Sequence, residues 1–292
     1  MVSRHSAFYS PIIASIAAGF LEQEDLQATY SVLGKADRSQ VDIMQSAVSS
    51  NWRRMERGER PLPVHFAQIN QRDGFFLAGR REELDFEWRH LEGKTLLADH
   101  GLQPLVMLRY AAHHNGVDWN KVHVLDRGTP EEMDAAFRAG EGDYVHLQAP
   151  APDQLEHDGT GHIAVSVGAS MPPVAFSSLS ASREFVETPA FESFLRAYAK
   201  AREWVRTASA DEIAAKEASY FPGVQRQCLA AAIARYQNLG CWNGGIEIPR
   251  ELYEQSLNVF EFAGEISRRH AYEEVCLSPL PRSRGAEGRA YK

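Results

Sequence analysis

Apolar positions along the chain come in short runs separated by polar turns. Residues 10–21, SPIIASIAAGFL, are the most apolar stretch of the first third. Within it Ile13, Ile16, Ala17 and Phe20 recur at three- and four-residue spacing, which lays an apolar stripe on one helix face. Ser10 suits an N-cap and Pro11 the first helical position. Glu22 to Asp25 end the run, and residues 26–33 read as a strand. The alternation continues. Strands are predicted at 41–44, 64–69, 74–78, 94–98, 121–125, 143–147, 163–167 and 174–178, and helices at 49–58, 103–115 and 130–139, the last opened by Thr129 as N-cap. Strands alternating with helices of this length predict an α/β fold with mostly parallel, doubly wound sheets. Beyond residue 180 the period becomes helical, at 188–206, 210–218, 224–237 and 249–268. The chain past 270 is assigned to a flexible tail, because its end, SPLPRSRGAEGRAYK, is rich in Pro, Gly and Arg with no apolar period.

The opening stretch also imitates a secretory leader, with Arg4, an apolar run at 11–16 and the small-x-small triplet at 15–17. One firm positive charge precedes it, and cleavage there would leave apolar residues 18–21 as the new terminus. The helix reading is therefore preferred, and the chain as written is expected in the cytoplasm, or in the periplasm if leader residues precede it. No apolar run reaches the ~18–20 residues of a membrane span.

Composition narrows the function. Of 292 residues 44% are hydrophobic, enough for a sizeable core, and the net charge of -8 argues against nucleic acid as the main partner. The basic run at 52–57 is diluted by Glu56 and Glu59 and reads as a solvated helix face. Three cysteines, Cys228, Cys241 and Cys276, form no Cys-x-x-Cys pair, so no zinc signature is present, and whether Cys228 and Cys241 pair stays open. The adjacent His113 and His114 point apart on a helix, and the Gly-Thr-Gly at 159–161 lacks the lysine of a phosphate loop. No cofactor or metal is expected.

Three segments carry a family resemblance: FYSPIIASIAAGFLEQEDLQATY; VDIMQSAVSS with PVHFAQINQRDGFFLAGR; and FEWRHLEGKTLLADHGLQPLVMLRYAAHHNGVD with AAFRAGEGDYVHLQAPAPDQLEHDGTG. Gly19-Phe20-Leu21, His90-Leu91-Glu92-Gly93-Lys94 and Gly140-Glu141-Gly142-Asp143-Tyr144 match its recurring steps in order. Over about residues 5–270 the chain resembles the NMT1/THI5-like group, which includes the SsuA-type sulfonate-binding and THI5-type pyrimidine-precursor-binding proteins of ABC importers.

The resemblance implies the type II periplasmic-binding-protein fold, with two α/β lobes that close on a small ligand. Lobe one would hold residues 1–79 plus 178–270 and lobe two 80–177, joined through GFFLAGR and PPVAFSSL. The first helix of each lobe would aim free backbone N–H groups into the cleft. Candidate ligand residues are then Tyr9 and Ser10 beside Phe8; Gln45 and Ser46; Asp73; His100, Gly101 and Gln103; and Tyr144 and Gln148 with His146 between them. Each has a plainer reading: Ser10 as a cap, Gln45 and Ser46 as a loop, Asp73 as a turn, and Trp242 as a packing residue rather than a lid. No catalytic residue is assigned. The implied function is capture of a small solute for an importer permease, the ligand being a thiamine-precursor pyrimidine, an aromatic acid or a sulfonate. Two alternatives stay open: an enzyme on the same scaffold, for which the stretch His5 to Ser10 offers no cysteine nucleophile, and a cytosolic ligand sensor.

Overall fold

A computed structural model describes residues 1–34 and 41–277. In chain order the elements are α1 (Ser10–Ala17), β1 (Ile43–Ser46), α2 (Ser49–Glu56), β2 (Val64–Asn70), β3 (Phe75–Gly79), β4 (Thr95–Leu97), α3 (Leu102–His114), β5 (His123–Leu125), α4 (Pro130–Arg138), β6 (Tyr144–Gln148), α5 (Ala151–His157), β7 (His162–Ser166), β8 (Ser177–Ala181), α6 (Pro189–Thr207), α7 (Ala210–Glu217), α8 (Arg226–Leu239), α9 (Arg250–Phe262) and α10 (Tyr272–Val275). The strands form two sheets, ordered β1-β8-β2 and β5-β4-β6-β3-β7. Each sheet with its helices makes one lobe, and the chain crosses between them after β2 and again between β7 and β8.

The five-stranded sheet is mixed and the three-stranded sheet is antiparallel throughout, where mostly parallel sheets are expected from the sequence. β4 runs parallel to β5 and β6. β3 runs antiparallel to β6 and β7, and β8 antiparallel to β1 and β2. The reason is topological: β3 and β8 are the first strands after each crossing, and they enter their sheets against the direction of the helix-connected strands. β3, placed by the sequence in lobe one, is hydrogen-bonded inside the five-stranded sheet.

Local chemistry explains most elements. The Thr129 hydroxyl caps α4, with Glu132 returning the bond to complete a capping box. Thr188 and Ser209 cap α6 and α7 in the same way. Strand alternation sends Val145 and Leu147 of β6 into a small core with Met133, Phe137 and Leu155 beneath α4 and α5. Tyr144, His146 and Gln148 therefore take the other face. The last third is helical, as expected.

Some expectations fail. Residues 26–33 do not form a strand; one bridge joins Val32 to Val2. Helix α5 is not among the helices expected from sequence, because Pro150 and Pro152 mask its start. Ser10 is not the N-cap of α1; that position is Tyr9, and the Ser10 hydroxyl donates instead to buried Glu217 at 2.8 Å. Residues 272–277 are ordered rather than tail: α10 forms, and the Leu277 N–H donates to His65 O at 2.8 Å. The stretch from 278 lies outside the described residues.

Candidate ligand-binding site

The two lobes meet along a closed seam. The Ser6 hydroxyl donates to Ala149 O at 2.7 Å and the Ser49 hydroxyl to Gln103 Oε1 at 2.7 Å. Arg4 of lobe one forms an ion pair with Asp99 of lobe two. At the crossings the Tyr236 hydroxyl accepts from Ala149 N–H at 2.9 Å and donates to Gly74 O at 2.9 Å. The crossing segments touch closely: a Cβ on Gly168 would lie 2.1 Å from Asp73 O, and one on Gly74 would lie 2.4 Å from the Phe8 ring. Only glycine fits at either position.

A cluster of polar side chains is buried at this seam. Asp73 is fully buried; its Oδ1 accepts from Phe75 N–H at 2.7 Å, while its Oδ2 has no partner. Burial pushes its pKa up to about 8, with the neighbouring Asp99 adding to the rise, so the carboxyl is protonated at neutral pH. His146 is fully buried with neither ring nitrogen partnered, and it stacks on Phe75 at 4.3 Å. Burial lowers its pKa to about 3, so the ring is neutral. Gln148 is 8% exposed, and its amide forms no well-aligned hydrogen bond, although it lies within reach of the Tyr9 hydroxyl. That hydroxyl also faces Ser3 and Ser177, and burial raises its pKa. The Arg4 guanidinium lies 5.4 Å from the centre of the Phe75 ring. Ser3 and Gly101 are exposed and mark the mouth.

Of the residues singled out from sequence, Tyr9, Asp73 and Gln148 come together here, and Gly101 stands at the rim. Gln103 is a strut, donating to Phe176 O at 2.6 Å while accepting from Ser49. Gln45 is turned inward and accepts from Ser3 N–H at 2.9 Å and the Ser3 hydroxyl at 2.6 Å. Ser46 donates to the Ser50 hydroxyl, and exposed His100 bonds Ala98 O at 2.8 Å; neither joins the cluster. Tyr144 is at the opposite end of β6, paired with Gly79, its hydroxyl donating to Glu83. It shares a strand face with Gln148 but is separated from it by about 13 Å of strand. Trp242 is a core residue, 1% exposed, its indole N–H donating to Phe8 O at 3.3 Å.

The sequence reading missed Arg4 and Asp99. Arg4 is read from sequence as the charge ahead of a leader-like run, and Asp99 is given no role there. Their signal was positional: Asp99 lies between β4 and α3, and Arg4 lies just ahead of the turn that opens α1.

At the entry to α1 the N–H groups of residues 7–10 are all engaged within the protein, against the free groups expected. Ala7 N–H donates to Ala149 O at 3.2 Å, Phe8 N–H to the Ser6 hydroxyl at 3.1 Å, and Tyr9 N–H to Ser6 O at 3.1 Å. Ser10 N–H is bonded to Ala7 O, and Pro11 has none to offer. A cavity of about 510 Å³ lies elsewhere, between α1, β1 and α6, lined mainly by apolar groups such as Ile12, Ile16, Leu26 and Phe194. It contains none of the buried unpartnered polar atoms. The polar cluster is therefore the better candidate site. All three cysteines are unpaired and buried, and burial pushes each thiol pKa up, so none is an activated nucleophile. Among the described residues no three His, Cys, Asp or Glu side chains are grouped to hold a metal ion.

The chain matches no family model. It is 24% identical over 283 residues to YtlA of Bacillus subtilis (strain 168), which carries a provisional description as a binding protein; the match covers 93% of this chain and 84% of YtlA. Its structure is similar to the ligand-binding component of an ABC-type import system from Staphylococcus aureus, crystallised with zinc bound, at a TM-score of 0.74 and 12% identity over 94% of each chain. It is also similar to the periplasmic aliphatic sulphonate-binding protein SsuA of Escherichia coli, at a TM-score of 0.69 and 14% identity, covering 98% of this chain and 93% of SsuA. The likeness read from sequence thus holds in three dimensions, and the chain has the two-lobed α/β fold of the SsuA-type ABC solute-binding proteins.

Proposed function

We propose that this protein captures a small polar molecule between its lobes and hands it to an ABC importer. The observation that carries the reading is the seam cluster: Asp73, His146 and Gln148 are buried with polar atoms unpartnered, beside Arg4 and Tyr9, where the two lobes close. A buried polar atom without a partner costs about 1–3 kcal/mol, so a lobe interface that keeps several of them is built to be completed by a ligand. The fold neighbours support the same reading, since those named above are ligand-binding components of import systems. Among the described residues no helix is long and apolar enough to cross a membrane, which suits a binding subunit that meets its permease through a surface.

The test is direct. Purified protein is weighed by native mass spectrometry, then denatured, and any released molecule identified. A stoichiometric small-molecule adduct, lost in Gln148→Ala and His146→Ala variants that still fold, is the expected result. An adduct that persists in both variants would place the ligand elsewhere. Turnover of the released compound by the wild type would convert the reading to an enzyme on this scaffold.

A further inference from the structure

Two of the donors that could hold an oxyanion at this seam are committed to Asp99. Its Oδ1 accepts the Gly101 N–H at 2.7 Å, just ahead of α3, and its Oδ2 accepts one N–H of the Arg4 guanidinium, which reaches over from lobe one. The Asp99 side chain is 7% exposed and that of Arg4 23%, so the carboxylate end of the pair is the more deeply buried. On the lobe-one wall the N–H groups of residues 7–10 are all bonded within the protein. What remains unpartnered is Asp73 Oδ2, both ring nitrogens of His146 and both amide atoms of Gln148. That set mixes donors with acceptors. A sulfonate or nitrate can only accept hydrogen bonds. It would bring a negative charge towards Asp99, with Glu131 also acting on the same arginine, and would leave the acceptors of His146 and Gln148 unpaired.

Resting on the capture reading above, we propose that Asp99 is the specificity-determining residue of the cleft. By occupying Arg4 and the Gly101 N–H it bars acceptor-only oxyanions and reserves the site for a neutral ligand that presents hydrogen-bond donors as well as acceptors. The selection works by repulsion as much as by attraction, since a like charge set against a buried carboxylate is rejected more strongly than a missing contact is missed. This separates the chain from the sulphonate-binding protein whose fold it shares.

The experiment is isothermal titration of the full chain with sodium methanesulfonate and with sodium nitrate at fixed ionic strength. The wild type is expected to bind neither in the micromolar range. Asp99→Asn keeps an oxygen for the Gly101 N–H but releases the Arg4 charge, so its methanesulfonate affinity should rise by about tenfold or more. Asp99→Ser provides a second reading if the first variant does not fold, with circular dichroism as the check. Asp73→Asn leaves the Arg4–Asp99 pair in place and should not gain oxyanion affinity. Micromolar binding of either anion by the wild type, or no gain in the folded Asp99 variants, overturns the assignment. The capture reading fails separately, through the absence of any adduct in native mass spectrometry.

Discussion

Arg202 and Arg4 are held in opposite ways. Arg202, on α6, is 2% exposed and has no acidic partner; it donates to Trp242 O at 2.8 Å, Gly244 O at 2.7 Å and Asn243 O at 3.0 Å. It staples the 242–244 loop to the helix within one lobe. Arg4 is bonded to a carboxylate of the other lobe, with unpartnered polar groups beside it. A guanidinium satisfied by neutral carbonyls inside one lobe has nothing further to do, whereas one balanced against an acid across a seam can change partners when the seam opens. Burial alone does not tell a structural charge from a functional one; the identity and location of the partner do.

The largest expected effect tests the first half of that contrast. Arg202→Met removes the charged donor shared by the carbonyls of Trp242, Asn243 and Gly244 and should lower stability by about 3 kcal/mol or more, read from urea unfolding. A loss no larger than that of Arg4→Met would mean that the two arginines are equally structural. Gly168→Ala comes next. Its Cβ would fall 2.1 Å from Asp73 O, a backbone atom that cannot swing away, so the two crossings must separate. Overpacking of this kind destabilises by about 1–3 kcal/mol. Because Asp73 moves with its backbone, ligand capture should fall in the surviving folded fraction, measured by adduct occupancy.

A smaller effect sharpens the account of the seam through pH. The Asp73 carboxyl rises from 3.8 to about 8 on folding, so between those values the folded state holds a proton that the unfolded state has lost. The stability this contributes is full below about pH 4, falls as pH rises through the window and is gone above about pH 8. Relative to Asp73→Asn, the wild type should therefore lose ground in thermal melts as pH is raised from 4 to 8. A flat difference would show that Asp73 is ionised and paired in the folded protein.

The elements were legible where one local rule decided them. Thr129 announced α4, and the alternation in residues 143–147 announced β6. Where a long-range partner decided, sequence failed. Ser10 looked like a cap because caps are local, but its hydroxyl answers Glu217, 207 positions away. Tyr144 and Gln148 share a strand face by alternation, yet only the far end of β6 reaches the seam, and nothing in the strand says which end that is. Arg4 and Asp99 are 95 positions apart, and their pairing exists only once the lobes have closed. The cleft's chemistry is a property of closure, which single-residue patterns do not encode.

The smallest predicted effect concerns closure itself. Arg235 of α8 reaches across the seam to α5, donating to Asp153 Oδ1 at 3.0 Å and Glu156 Oε2 at 2.7 Å. Its side chain is 38% exposed, while that of Asp153 is 2% exposed. Solvent screens the arginine end, so the pair contributes only about 1 kcal/mol to the closed arrangement. Burial holds the Asp153 pKa up at about 6 despite Arg235, which works against the rise. Removing the cation by Arg235→Gln should raise it further. The unfolded stability of the chain should hardly change, because no lobe core is touched. The balance between closed and open lobes should shift towards open, seen as a larger radius of gyration in small-angle scattering without added ligand. If Arg4→Met opens the lobes and Arg235→Gln does not, the buried pair alone governs closure; if both do, the seam is held at its centre and at its rim, and Arg4 must be understood as one of two clasps.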